Sequence, residues 1–156
     1  MKRFSKYACV LVCLGLLTGL LPITYLVIQT EQQACYLRTT AFSLQWRHSV
    51  EHQLWQEHYR HDGKRILLHQ TWLQTFGAGT PSFAEPVNVP AGYVGYKQDI
   101  YFHELNWVVS RRMEGVIKSE KGDIPIYQTA PDYSMITIRP AQSLLLVYLL
   151  GSSCYD

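Results

Sequence analysis

The sequence predicts an all-β fold, an antiparallel β-sandwich or a partly open barrel, preceded by one N-terminal transmembrane helix. Two observations favour the β fold. Apolar and polar residues alternate with a period of two over several short segments, and turns rich in glycine and proline separate those segments. A third observation predicts the helix, since residues 7–28 form an apolar run without a single charge. Hydrophobic residues make up 47% of the 156-residue chain, so a packed core is expected.

The N-terminal run has the length and the flanking charges of a membrane anchor. It exceeds the roughly 20 apolar residues with which a helix crosses a bilayer. Lys2, Arg3 and Lys6 precede it, and basic flanks of this kind stay in the cytoplasm. A cleaved signal peptide is the alternative, although its apolar region is usually about 7–15 residues long. The expected segments are a cytoplasmic basic tip (1–6), a transmembrane anchor or signal peptide (7–28) and an exported β domain (29–156).

The distribution of charge argues against a nucleic-acid-binding protein. Residues 1–28 carry three basic residues and no acidic one, whereas residues 29–156 carry 11 Lys and Arg against 12 Asp and Glu. The overall charge of +2 therefore belongs to the N-terminal tip. A folded domain without a basic excess lacks the electrostatic footprint that phosphate backbones require. We expect no nucleic-acid partner.

The strands are predicted from alternation and from turn residues. Residues 42–48 alternate and predict one strand; residues 55–61 predict the next, with a short helix over 51–60 as the alternative. The Asp62-Gly63 pair predicts a hairpin that leads into a long strand over residues 66–76. A loop rich in proline and glycine follows over residues 77–92. Further predicted strands cover residues 93–96, 100–103, 106–110, 134–139 and 144–150.

The first predicted hairpin places a histidine against a carboxylate. If residues 51–54 form its loop, His48 lies opposite Glu57 and Trp46 lies opposite Tyr59. A His–carboxylate pair between aromatic rings would be a pH-sensitive or ligand-contacting feature. A purely structural cross-strand pair is the alternative interpretation.

The predicted exported domain contains an even number of cysteines, namely two. Cys35 begins that domain and Cys154 lies near its end. An even number of cysteines in an exported protein predicts a disulfide, with two free thiols as the alternative. In the chain-entropy view, closing a loop of about 100 residues stabilises a fold by roughly 4.7 kcal/mol.

The histidine-rich region suggests chemistry but completes no catalytic motif. His48 and Ser49 are adjacent and would point to opposite faces of a strand, so they do not form a nucleophile–base pair. The histidine pairs at 48/52 and 58/61 have helical metal-ligand spacing but lack an HExxH motif. In the loop, Gly77 and Gly79 would offer backbone amides to an anion, or serve a turn that needs positive φ. We therefore expect no enzyme and no cofactor.

Two blocks of residues resemble a known family. H-S-V-E at 48–51, Glu57, the Asp62-Gly63 turn and F-G-A-G-T-P at 76–81 resemble the bacterial domain-of-unknown-function family eighteen-fifty. The similarity is strongest over residues 42–82 and continues more weakly through the later strands. The resemblance implies a small exported or membrane-anchored protein, encoded beside TAXI-type TRAP transporters, which import small organic acids through an extracytoplasmic solute-binding protein. The binding residues it implies are Trp46, His48, Ser49, Glu51, Glu57, Gly77, Ala78 and Gly79.

We expect this protein to act by binding partner proteins and not by catalysing a reaction. The resemblance implies a non-enzymatic accessory of a TAXI-type TRAP solute transporter, held by a single pass in the bacterial inner membrane with its C-terminal domain in the periplasm. Its expected partners are the inner membrane itself and the membrane subunits or solute-binding protein of the transporter. A periplasmic β module that binds a small organic anion or a metal ion is the alternative.

Overall fold

The chain folds into antiparallel β-strands, as the alternating segments predict. A computed structural model describes residues 15, 18–77, 79, 80 and 85–155. Residues 15, 18 and 19 before the first strand are helical, and short helices also accompany the strands further on: a 3-10 helix at Arg111–Met113, α1 at Ile126–Thr129 and α2 at Leu145–Leu149. The strands are β1 (Pro22–Gln29), β2 (Ala34–Leu37), β3 (Ala41–Arg47), β4 (Leu54–His61), β5 (Ile66–Leu73), β6 (Pro86–Val87), β7 (Val94–Phe102), β8 (Leu105–Val109), β9 (Val116–Ser119), β10 (Gly122–Ile124) and β11 (Ser134–Leu144).

Two sheets enclose the core in a sandwich-like arrangement. The smaller sheet has the strand order β2-β1-β11-β8 and the larger one β10-β9-β3-β4-β5-β7-β6. Neither sheet closes into a barrel over the described residues. Alternate residues of β3, β4 and β5 point inward, as a period of two requires. The largest fully buried side chains come from both sheets and are Leu26, Ile28, Leu37, Ile66, Leu73, Val109, Ile117, Ile136 and Ile138.

The first hairpin forms, but its predicted register is wrong. Trp46 lies opposite Trp55, and Glu57 lies opposite Leu44. The hairpin closes where the His48 amide donates to the Gln53 carbonyl at 2.9 Å, so the loop is centred two residues earlier than predicted. His48 and Glu57 are consequently not a cross-strand pair. The helical alternative for residues 51–60 is also wrong, because most of that segment is β4.

The β domain begins earlier than the sequence indicates. Residues 22–28 were predicted as the end of the anchor helix, yet they lie in β1, which pairs with β11 on one side and β2 on the other. Their apolar side chains are explained by this position, since Tyr25–Ile28 are all buried. Of the rest of the predicted anchor, residues 15 and 18–21 are described, and residues 7–14, 16 and 17 lie outside the described residues. Within the described part of the chain, no helix has the length and apolar character needed to cross a membrane.

The C-terminal apolar run is a strand end followed by a helix. The predicted strand at residues 144–150 is wrong, because β11 ends at Leu144 and α2 follows. The reason is topological. Leu144 pairs with Pro22, the first residue of β1, so no partner strand continues beyond that point. The predicted disulfide is confirmed, and it joins Cys35 of β2 to Cys154 after α2.

Candidate functional site

The two family-like blocks meet at one end of the larger sheet. The loop of residues 48–53 connects β3 to β4, and residues 74–80 follow β5, the neighbour of β4. Gln74 ties the two together, since its side chain accepts from the Leu54 amide at 2.8 Å and its own amide donates to the Leu54 carbonyl at 3.2 Å. We call this region the motif end.

An ion pair organises the first loop. The Nδ1 atom of His48 contacts the Oε2 atom of Glu51. The Val50 amide lies 3.4 Å from the same ring nitrogen, so the loop backbone and the Glu51 carboxylate both meet His48 on its Nδ1 side. The His48 ring stacks on Trp55, with the ring centroids 4.6 Å apart and the planes 19° from parallel. Both partners of the pair are only 18% exposed, which strengthens their attraction relative to a pair in open solvent.

Two side chains of the β3–β4 hairpin pack against the glycines of the second block. The Glu51 carboxylate occupies the space in which a Cβ at Gly77 would lie. Gly79 adopts φ +88°, and its Cα hydrogen faces the Trp55 ring, which a Cβ would approach to 3.5 Å. Thr80 closes this turn, because its hydroxyl accepts from the Gly77 amide at 2.9 Å. A turn that needs positive φ therefore accounts for Gly79, whereas Gly77 leaves room for the Glu51 carboxylate; Ala78 lies outside the described residues.

An open, largely apolar cavity of about 410 Å³ adjoins the ion pair. Trp46, His48 and Ser49 line one side of it, and Met113 and Tyr133 line the other. Three predicted site residues thus border one cavity. Glu51, Gly77 and Gly79 do not line it; Glu51 contacts His48 and Gly77, and Gly79 lies against Trp55. Aromatic rings surround this end of the molecule, and Trp46 lies 6.1 Å from Trp55 between ring centroids.

Tyr133 borders the cavity, and the sequence did not single it out. It adopts φ +65°, a left-handed conformation that is costly for a bulky side chain, and the residue is 81% exposed. The surrounding backbone enforces that conformation: the Tyr133 amide donates to the Val109 carbonyl at 2.8 Å, and the Ser134 hydroxyl donates to the Pro131 carbonyl at 2.7 Å. Strain of this kind, combined with exposure at a cavity, is typical of functional positions.

Glu57 lies apart from this site. It points to the inner face of the larger sheet, opposite Leu44 on β3 and Thr71 on β5. Burial raises the pKa of the Glu57 carboxyl, although the Tyr59 hydroxyl donates to it at 2.5 Å and opposes that shift. The predicted binding role for Glu57 has no geometric support here, because its carboxyl faces the interior of the sandwich.

A second His-containing cluster occupies the outer face of the same sheet. The Ser43 hydroxyl lies 2.8 Å from Nδ1 of His58, and the His58 ring packs on Trp72 at 3.8 Å between centroids. Burial, followed by the nearby His69 imidazole, lowers the pKa of His58 to about 4. The histidine pairs considered for metal binding are separated, because His61 instead reaches the Thr39 carbonyl in the interior. Across the described residues, no three His, Cys, Asp or Glu side chains converge to hold a metal ion.

The fold and site define an all-β domain whose motif end brings the two sequence blocks together through the contact between Glu51 and Gly77. Residues 42–126 match the family described as Domain of unknown function (DUF1850), and they cover more than half of the 156-residue chain. The chain belongs to this family, which confirms the predicted resemblance. The matched region contains all but the first residue of the β3–β4 hairpin, both blocks and the strands through β10. No curated protein and no solved structure matches the chain.

Proposed function

We propose that this chain is a non-enzymatic accessory of a TAXI-type TRAP solute transporter, acting from the periplasmic face of the bacterial inner membrane through its motif end. The kind of transporter is taken from the family resemblance. The observation that carries the docking role is the convergence of both blocks, His48–Glu51 and Gly77–Gly79, on one exposed surface of the domain.

The surroundings of the ion pair support a protein-binding surface. Val50 sits at the tip of the first loop, Phe76 precedes Gly77, and Tyr133 borders the cavity; all three are large apolar side chains that are mostly exposed. Aromatic side chains such as Phe76 and Tyr133 are enriched in protein interfaces, where they act as buried anchors. Isolated exposed apolar residues need no explanation, but a group of them around a built loop does.

The covalent structure supports an exported location. A disulfide joins Cys35 to Cys154, and such bonds persist in oxidising compartments such as the bacterial periplasm. The basic tip and the charge-free run before β1 are consistent with export through the inner membrane. Because β1 takes residues 22–28, only residues 7–21 are left for an anchor, and as a helix they would span about 22 Å.

Co-purification from native membranes tests the accessory role. We would isolate the full tagged chain after mild crosslinking and compare it with Val50→Asp, Phe76→Asp and, as a matched control on the exposed face of β7, Tyr101→Asp. We expect the native chain and the Tyr101 variant to bring down a TRAP-type membrane subunit or its solute-binding protein. Both motif-end variants should lose most of that yield because they place a charge in the interface. Failure of the native chain to retain any transporter component would contradict the proposal.

The cavity favours a second function, the binding of a small organic anion. Its volume of about 410 Å³ lies within the usual range for small-molecule sites, and His48 and Ser49 supply polar groups beside apolar walls. Calorimetric titration with succinate and with Zn²⁺ tests this function. We expect Tyr133→Gly to keep the fold, because glycine tolerates positive φ, and to lose binding along with the ring. Absence of heat with either probe would count against this alternative.

A further inference from the structure

An apolar surface lies at the end of the molecule opposite to the motif end. Large apolar side chains are exposed there on both chain segments that meet at the start of β1 and the end of β11. We call this surface the C-terminal patch, and it consists of Leu20, Leu21, Leu144, Leu146, Val147, Leu149 and Leu150. Leu150 is 82% exposed and Leu149 is 65% exposed, although water is an unfavourable environment for both.

The patch is held rigidly in place despite its exposure. The Leu145 amide donates to the Leu21 carbonyl at 2.9 Å, which joins α2 to the segment before β1. After α2, the chain returns to β2, where the Tyr36 amide donates to the Ser152 carbonyl at 2.9 Å and the Cys35–Cys154 disulfide follows. Tyr148 of α2 also packs against Tyr25 of β1, with ring centroids 5.2 Å apart. A segment secured by a disulfide and by aromatic contacts presents its leucines in a defined position.

The distribution of charge indicates what covers the patch. The sequence has no charged residue from 7 to 30 and none from 140 to 155, so both segments that form the patch are uncharged. Basic groups dominate beside it, next to β1: Gly63 of the β4–β5 turn packs against Thr24, and Arg38 and Lys121 border a cleft with Pro22. The exposed basic residues of this rim are Arg38, Lys64, Arg65 and Lys121, and its acidic residues are Asp62 and Glu120. An apolar centre with a basic rim suits a bilayer of acyl chains and anionic headgroups.

The course of the chain favours lipid over a protein partner. The apolar run of residues 7–21 joins the fold at this patch, directly before β1. As a helix this run would span about 22 Å, which is less than the roughly 30 Å hydrocarbon core. A short span is accommodated when the bilayer thins around it, which brings the membrane surface against the structure that flanks the span. Leucines beside the point of entry, with Tyr25, Tyr36 and Tyr148 behind them, would supply that contact.

We propose that the C-terminal patch rests in the outer surface of the inner membrane, so that α2 and the N-terminal anchor together hold the domain against the bilayer. This inference rests on the membrane location proposed above. The proposed placement of the patch also determines which way the motif end points relative to the membrane. β11 runs from Ser134, beside the cavity, to Leu144 in the patch, and its 11 residues span about 33 Å. The motif end therefore projects away from the membrane and faces the soluble solute-binding protein more readily than the membrane subunits.

Depth-dependent fluorescence quenching tests this placement. The full chain, with Cys9→Ala and Cys13→Ala to remove other thiols, would carry an environment-sensitive fluorophore at Leu149→Cys or, as a control, at Val50→Cys. Both variants would be labelled without reductant to preserve the disulfide. They would be reconstituted in phosphatidylcholine–phosphatidylglycerol vesicles that contain lipids with a nitroxide on the acyl chain. We expect quenching at position 149 to be several-fold stronger than at position 50, and quenching by aqueous iodide to show the reverse order.

The other outcomes separate this inference from the proposed function. If the chain is retained in vesicles but position 149 is open to iodide, the patch lies in water and the inference is wrong while anchoring stands. If position 149 is shielded from iodide without being quenched by the lipid nitroxide, a protein surface or a second copy covers the patch, which also overturns the inference. If the chain does not associate with vesicles at all, the membrane location itself fails.

Discussion

At the scale of single residues, the contact between Glu51 and Gly77 links the two family blocks. The carboxylate of Glu51 lies where a side chain at position 77 would begin, and the same carboxylate pairs with His48. Gly77 has no need of positive φ, so its lack of a side chain matters for space and not for backbone conformation. Two blocks about 25 residues apart therefore depend on each other through one close approach.

A double-mutant cycle measures this dependence. Gly77→Ala should displace the Glu51 carboxylate and weaken its pairing with His48, with a loss of about 1 kcal/mol in the free energy of unfolding. In a Glu51→Ala background the same substitution meets no carboxylate, so its cost should fall and the coupling should reach about 0.5 kcal/mol or more. Urea unfolding of the four proteins gives the coupling. Strictly additive effects would contradict the contact.

The neighbours Glu57 and His58 should respond to pH in opposite directions. Burial raises the pKa of the Glu57 carboxyl above 4.5, so the folded state binds its proton more readily than the unfolded state. Its contribution to stability is therefore present at low pH and is lost as pH rises through the folded pKa. Burial lowers the pKa of His58 from 6.5 to about 4, so its contribution is present above 6.5 and is lost as pH falls toward 4.

Conservative glutamine variants separate these two effects. Glu57→Gln can still accept from Tyr59, and we expect it to be more stable than the native protein at neutral pH, with the difference shrinking in acid. His58→Gln can still bond to Ser43, and we expect a smaller loss of stability between pH 6.5 and about 4. Urea midpoints measured across this pH range provide the readout. Equal slopes for native protein and His58→Gln would refute a depressed pKa for His58.

At the scale of elements, local pattern predicted strands well where one face is buried. β3, β4 and β5 match predicted strands, and the Asp62-Gly63 turn forms as predicted because the Asp62 side chain accepts from the Arg65 amide at 2.8 Å and Gly63 adopts φ +88°. The two strands predicted over residues 93–96 and 100–103 are instead one strand, β7, which pairs with β5 along its length. The register of the first hairpin was not predictable from pairing alone. The left-handed backbone of His52 and the His48–Glu51 contact belong to a turn centred two residues earlier than the predicted one, and neither feature is visible in the alternating pattern.

The two terminal elements were misjudged because buried strands and membrane helices have similar composition. β1 is apolar along its middle because it is a central strand of its sheet, paired on both sides. Its length of eight residues was hidden by the apolar run before it. The run at residues 144–150 has the composition of a strand but reaches the edge of its pairing partner at Pro22 and continues as α2. Tertiary pairing, and not local preference, decided both cases.

The disulfide between Cys35 of β2 and Cys154 after α2 makes a testable contribution to stability. Replacing both Cys35 and Cys154 by serine frees the C-terminal segment and restores the entropy of the unfolded chain. We expect a loss of as much as about 4.7 kcal/mol in the free energy of unfolding, the chain-entropy value for a loop of about 100 residues. Thermal and urea unfolding of oxidised, reduced and serine-substituted protein measure it. Identical stability of all three forms would show that the disulfide is dispensable.

At the scale of the whole molecule, β11 separates two surfaces of different chemistry. The C-terminal patch is uncharged and rich in leucine, whereas the motif end carries an ion pair, aromatic rings and a cavity. The sequence predicted the members of the motif end, apart from Trp55 and Tyr133, but not their arrangement. Trp55 was concealed because a tryptophan in an alternating strand is ordinarily a core residue, and the left-handed conformation of Tyr133 has no signature in the sequence.

A pair of photo-crosslinking probes in native membranes tests the two-ended account most directly. One full chain would carry a photoreactive residue at position 50 and another at position 149, each expressed in the cells that make the transporter. The account predicts that the probe at 50 captures the solute-binding protein of a TRAP-type transporter and that the probe at 149 captures phospholipid. Capture of lipid by the probe at 50, or of no transporter component by either probe, would contradict it.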